Sequence, residues 1–213
     1  PLGKIYHIFR KAPVNLITSY PAFHRGYVRG FQEALDTALQ PGAADAVLDE
    51  RYASFQQNSV PLVSPQFIKS FLTSRRAYLL GVLPSASFAV NNPAYQVITG
   101  SNVIALTGTA PLNVEQVLVN SNAYAVTWTS TTAWRVLVPL GAGTNLLVIT
   151  ATDRHGNVLN NATGSVTVNY LGSPAAPEGY VVFNEILYQP ELGGATFVEL
   201  FNTHSNQTFD LSG

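Results

Sequence analysis

Two carboxylates in one short stretch are the first candidates for chemistry. In "VVFNEILYQPELGGATFVELFNTHSNQTFDLSG", residues 181–213, Glu185 and Glu199 sit on two alternating runs joined by "QPELGG". If the runs pair as a hairpin, the two glutamates can face each other across it. Facing carboxylates suit general acid/base work or calcium. Asn184, Asn202 and Asp210 complete the polar set. The simpler reading is structural, with Asn184, Glu185, Glu199 and Asn202 bonding backbone at strand ends. A second candidate is aromatic: Tyr124 and Trp128 as a sugar-stacking platform. Trp134 alternates with Val136 and Val138, which places a large ring in a thin core. A third candidate, Asp153 with His155 and Asn157, has one carboxylate nearby, too few for a calcium loop. Gly156 between them marks a tight Asx turn instead.

Other chemistries lack their residues. Four histidines, His7, His24, His155 and His204, are scattered, and no G-x-S-x-G elbow accompanies them. There is no cysteine, so disulfides, thiolate metal sites and Cys nucleophiles are out. Phosphoryl transfer needs a nucleotide-cradling Lys or Gly-rich loop and carboxylates for Mg²⁺. The stretch before the first helix, "PLGKIYHIFRKAPVNLIT", has no Asp or Glu. No catalytic residue, cofactor or metal is therefore expected here.

Composition narrows the class. The 213 residues are 46% hydrophobic and 11% charged, against roughly 25% charged in an average globular protein. Low charge with much Thr, Asn, Ser and Val suits a β-rich extracellular module. Residues 1–84 carry nine Lys/Arg and five Asp/Glu, net +4, whereas residues 85–213 carry two and seven, net −5. The basic residues are dispersed, which argues against nucleic acid. No apolar run approaches the roughly 18 residues of a membrane span.

The elements follow from periodicity. Ser19 is a candidate cap and Pro21 fits a first turn. Phe23, Tyr27, Phe31, Leu35 and Leu39 then recur every four residues as one apolar helical stripe. Gln40-Pro41-Gly42 stops that helix. A second spans 43–57 with Val47, Leu48, Tyr52 and Phe55 inward. A third starts at Ser64-Pro65, with Phe67, Ile68, Phe71, Leu72, Tyr78 and Leu79 on its buried side, and ends at Pro84. Arg25, Arg29 and Arg75 read as solvated or paired helix arginines. Residues 85–94 are a linker or a leading edge strand. From Tyr95 the period becomes 2, and seven β-rich runs separated by turn signals argue for an immunoglobulin-like sandwich. Gly108 and Pro111 bracket the bend leaving one strand. "GSPAAPEG", residues 172–179, is a linker, and 180–213 begins another β-unit. A lone hairpin is marginal, so that unit should pack on the sandwich or be mobile.

Three resemblances sharpen this. The string from Leu106 to Asn157, with Trp134 and "PLGAGTNLLVITATDRHGN", resembles the bacterial Ig-like domains that decorate secreted enzymes. It implies a spacer or presentation module over about residues 95–170. Asn184, Glu185, Ile186, Tyr188, Pro190, Phe197, Val198, Glu199, Leu200, Asn202, Asp210, Leu211, Ser212 and Gly213 resemble the opening of a lamin-tail domain, covering its first third. "YPAFHRGYVRGFQEALDTAL" and "FIKSFLTSRRAYLL" resemble the last helices of the spore-coat-type (CotH) kinase fold, whose ATP- and metal-binding residues would lie upstream.

The expected fold class is thus an α+β multidomain fragment: a helical segment over 1–84, an all-β Ig-like sandwich over 85–171, a linker over 172–179 and a partial β-sandwich over 180–213. The expected role is a non-catalytic modular segment of a large secreted or cell-surface bacterial protein. The alternatives are the C-terminal part of an atypical CotH-like secreted kinase and a carbohydrate-binding module. The candidate partners are a polysaccharide or a cell-surface protein, with no nucleic acid and no membrane span. The expected location is extracellular or at the cell surface.

Overall fold

The computed structural model of the chain describes residues 18–173, 175–189, 194, 196–209 and 211. Three helices lie wholly within the described residues: α1 (Pro21–Asp36), α2 (Asp45–Gln57) and α3 (Gln66–Val82). Pro21 begins α1, where its missing N–H costs nothing. Ser19 does not cap it; Tyr20 holds the cap position and offers no side-chain bond.

The helical layer has a small core. Leu35 of α1 and Leu79 of α3 are fully buried, with Tyr27, Phe31, Leu39, Tyr78, Val82 and Leu83 packed around them. The expected stripe of α1 holds from Tyr27 onward, but Phe23 is 67% exposed. The inward faces expected for α2 and for the start of α3 are corrected. No residue of α2 is buried, and Val47 and Phe55 are exposed. Phe67, Ile68 and Phe71 of α3 are exposed too. The reason is where the helices meet. The packed residues of α3 lie in its last two turns, and among the described residues no second apolar surface lies against its earlier turns. Arg76 reinforces that meeting point by donating to the carbonyls of Leu35 and Leu39 at 2.5 and 3.0 Å, satisfying acceptors at the end of α1.

The next nine strands form two sheets. One has the order β1-β3-β7-β6 and the other β2-β9-β8-β4-β5. The strands are β1 (Ala89–Val90), β2 (Tyr95–Ile98), β3 (Val103–Thr109), β4 (Gln116–Val119), β5 (Asn122–Ala123), β6 (Thr127–Trp128), β7 (Ala133–Pro139), β8 (Gly143–Thr152) and β9 (Val158–Tyr170). In immunoglobulin lettering these are sheets A-B-E-D and A′-G-F-C-C′. The first strand is split: β1 pairs antiparallel with β3, then β2 crosses to lie parallel to β9. Residues 85–94 thus contribute an edge strand. The fold is α+β, helices followed by an Ig-like sandwich.

Alternation places the core between the sheets. Leu106, Val117, Val136, Ile149, Val166 and Val168 are essentially inaccessible. Trp134 sits among them at 1% exposure, and its indole N–H donates to the Thr109 carbonyl at 2.9 Å. Asn120 and Ser121, both at positive φ, make the two-residue turn from β4 to β5. Asp153 closes the β8–β9 turn: one carboxylate oxygen accepts the N–H groups of His155 and Asn157, and the other accepts the Asn157 amide. Gly156 takes φ +81° there. These bonds, the Asn157 side chain first, hold the Asp153 carboxyl below its ordinary range. β3 ends at Thr109, so Gly108 and Pro111 do flank its exit, with Gly108 still in the strand. That position must be glycine, because a Cβ there would come 2.0 Å from the Ala89 carbonyl oxygen and 2.4 Å from the Trp134 ring.

After residues 172–179, β10 (Val181–Leu187) and β11 (Phe197–Asn202) pair as an antiparallel hairpin. Phe183, Ile186, Phe197, Val198, Leu200 and Phe201 are all exposed, spread over both of its faces.

The Gly108 contacts make a direct expectation. Gly108→Ala must push the Trp134 ring or strand β1 aside, an overpacking cost of about 1–3 kcal/mol. Chemical denaturation should show that loss, together with a shift in tryptophan emission.

Candidate functional site

Helix α1 has two working faces. Tyr27, Phe31 and Leu35 turn toward α3; Arg25, Arg29 and Glu33 turn toward the sandwich. Arg25 is 2% exposed. Its guanidinium donates to three main-chain carbonyls of the sandwich: Thr131 at 2.5 Å, Pro111 at 2.6 Å and Val114 at 2.7 Å. The same group lies 3.5 Å from the centre of the Trp128 ring. A planar fork of donors with a stacking face is what this geometry needs, and lysine has neither. Burial first, and the neighbouring Arg29 cation second, push Arg25 down to about 10. It therefore stays charged at neutral pH, without a carboxylate among its hydrogen-bond partners.

Two ion pairs flank the buried cation. Arg29 meets Glu115, and Glu33 meets Arg154 at 2.7 Å. Arg25, Arg29 and Glu33 are spaced i, i+4, i+8, so they form one row on the helix. The sandwich, residues 85–171, has only four charged side chains: Glu115, Arg135, Asp153 and Arg154. Three of them lie at the end that α1 covers. Trp128 is directly opposite Trp134 in register, so both rings belong to the inner face of one sheet. Trp134 fills the core, and Trp128, on the edge strand β6, lies beneath Arg25.

The other end of the sandwich carries a smaller clamp. Asn102 is 6% exposed. Its side-chain amide donates to the Thr208 carbonyl and its oxygen accepts the Thr208 N–H, both at 2.7 Å. Gln207 adds a bond to the Tyr170 hydroxyl at 3.1 Å. Tyr180, His204 and Phe209 cluster behind that segment, with Tyr180 and His204 4.7 Å apart. Register shows that the two clamps are at opposite ends. Val103, next to Asn102, pairs with Pro139, whereas Thr109, next to the α1 contacts, pairs with Ala133. Thus residues 180–209 do reach the sandwich, through the turn after β11.

The residues singled out from sequence divide as follows. Glu185 and Glu199 are direct partners in the hairpin register. Asn184 lies at an irregularity in that register and donates to the Glu199 carboxylate at 2.9 Å. Asn202 caps the following turn, bonding Gln207 and His204. Asp210 lies outside the described residues, as do Pro190, Ser212 and Gly213. Tyr124 and Trp128 are half-buried and packed on the core cluster, and Trp128 presents a ring face to Arg25 rather than to solvent. Arg75 lies over the Tyr78 ring at 5.3 Å. Among the described residues no cluster of three or more His, Cys, Asp or Glu is placed to hold a metal.

A cleft of about 470 Å³ opens between the α1–α2 connection and α3, lined by Asp45, Gln66, Lys69, Ser70, Thr73 and Arg76. Its cations are already engaged, Lys69 with Asp49 and Arg76 with the end of α1. Sequence reasoning passed over Glu115, Asn102, Gln207 and Thr208. The scarcity of charge in 85–171, with three of four charges in turns at one end, was a usable signal for the first. Nothing local marks Asn102, because its partner lies 106 residues away.

No family model matches the sequence, and no curated protein matches it. Among solved structures, the chain is similar to the fibronectin(III)-like modules of Clostridium thermocellum CbhA. Identity is 16%, the match covers 39% of this chain and 95% of that one, and the TM-score is 0.32. No helix among the described residues is long and apolar enough to cross a membrane.

Two substitutions separate the clamps. Asn102→Ala removes both bonds to Thr208, each worth about 1 kcal/mol. Amide exchange should rise over 203–209 while strands β3 and β7 stay protected. Glu115→Gln should cost less than about 1 kcal/mol, and that cost should vanish in 1 M salt, which screens exposed ion pairs.

Proposed function

We propose that the chain is a non-catalytic modular segment of a large secreted or cell-surface bacterial protein, in which the sandwich spaces two units and presents them at its ends. The observation that carries this reading is the placement of the clamps. Arg25 joins the helices to one end of the sandwich and Asn102 joins the hairpin to the other. Strands of seven residues separate them by about 20 Å. The charges of the sandwich are concentrated at a joint rather than around a cleft. In this reading the helices are the closing part of a CotH-like domain, and 180–213 is the opening of a lamin-tail domain. The exposed apolar residues on both faces of β10 and β11 suit a sheet that further strands complete.

The test uses the absence of native cysteine. Asp36→Cys and Ser205→Cys place the only two thiols in the chain on exposed positions of α1 and of the turn after β11. Spin labels there should give one narrow distance distribution. Turnover of ATP or of a glycan by the same protein, or a broad distribution, would overturn the proposal.

A further inference from the structure

We infer that helix α1 folds with the sandwich rather than with the helices that follow it, as a lid whose joint is locked by Arg25 on Trp128. The burial pattern points this way. Toward α3, α1 shares a core in which, among the described residues, two are fully buried, Leu35 and Leu79. Helix α2 has no fully buried residue, Leu48 and Tyr52 being half-buried. Toward the sandwich, α1 places the buried guanidinium of Arg25, bonded to three carbonyls and lying over Trp128, and the Arg29–Glu115 and Glu33–Arg154 ion pairs.

The sandwich needs a cover there. Ala110, Leu112 and Val114, in the connection from β3 to β4, are buried at that end. The carbonyls of Pro111 and Val114 in that connection, and of Thr131 in the β6–β7 turn, all accept from Arg25. One side chain therefore fixes two connections of the sandwich against each other as well as against α1. Without it, three carbonyls and a tryptophan face would open to water. The change from helical to β periodicity near residue 84 is consequently not the boundary of a cooperative unit. The joint also has one geometry, because a planar guanidinium stacked on a ring and bonded to carbonyls from two connections cannot rotate without losing them together. This inference stands on the packing alone and is independent of whether the chain is a spacer.

Native-state amide exchange on the full chain decides it. Cooperative units exchange together, each with its own opening free energy. In the unaltered protein, the amides of α1 should be protected to within a few-fold of those in β3 and β7. Those of α2 should exchange at least 100-fold faster. Arg25→Ala should lower protection in α1 at least tenfold and expose the 110–114 and 129–132 connections. Arg25→Lys should fail to restore it, since an ammonium cannot serve three carbonyls and a ring at once. A Trp134→Phe background makes Trp128 the sole tryptophan, and its emission should shift to the red on Arg25→Ala. The inference fails if α1 exchanges at the rate of α2 in the unaltered protein, a result that requires no variant to fold. It also fails if Arg25→Ala folds and leaves α1 protection unchanged.

Discussion

A buried cation without a counter-ion is costly unless its donors are satisfied by well-placed acceptors. Arg25 meets most of that condition through its two terminal nitrogens, which donate to three carbonyls, and through the face of Trp128; its Nε is buried with no hydrogen-bond partner. Much else in the molecule is arranged around it. The carbonyls come from two connections of the sandwich, so those connections must hold a set conformation. The ring comes from β6, a strand of two residues whose partner is Trp134. The chain of dependence runs from the cation through one indole to the other, and from there into the core.

The core pays a matching constraint at Gly108. Trp134 crosses β3 at the one position without a Cβ, and β1 closes over the same point through the Ala89 carbonyl. Phe88 stacks on Trp134 at 5.9 Å. A short edge strand, a glycine and an indole thus form one packing unit near the end that carries the lid. The two flanking ion pairs are exposed enough to be weak. They set the direction of α1 rather than supplying its attachment.

The far end is built on a different principle. Asn102 offers its side-chain amide as a substitute for a strand neighbour, giving Thr208 a donor and an acceptor as a backbone would. Such a bond pair is neutral and modest in strength. The hairpin that follows buries little of its own apolar surface, so its attachment depends on those few bonds and on the cluster of Tyr180, His204 and Phe209. The two joints therefore differ in kind: a stacked, buried charge at one end and a neutral amide pair at the other.

Much of this was legible in order along the chain. The switch from a 3.6-residue to a 2-residue period separates helices from sandwich, the spacing of turn residues counts most of the strands, and Trp134 declares itself as core by its alternation with Val136 and Val138. Those are local properties, and alternation along a strand is enforced by backbone geometry alone. Which apolar faces are buried was not legible for α2 and the start of α3. An amphipathic period says only that a face is able to pack, whereas burial requires a second surface at that place. Nor did the sequence mark Arg25 apart from Arg29 and Arg75. All three have a helix arginine's spacing and neighbours. Only the tertiary structure decides that one of them is sealed against a ring and three carbonyls, because its acceptors lie 86 to 106 residues away and come together only when the sandwich closes.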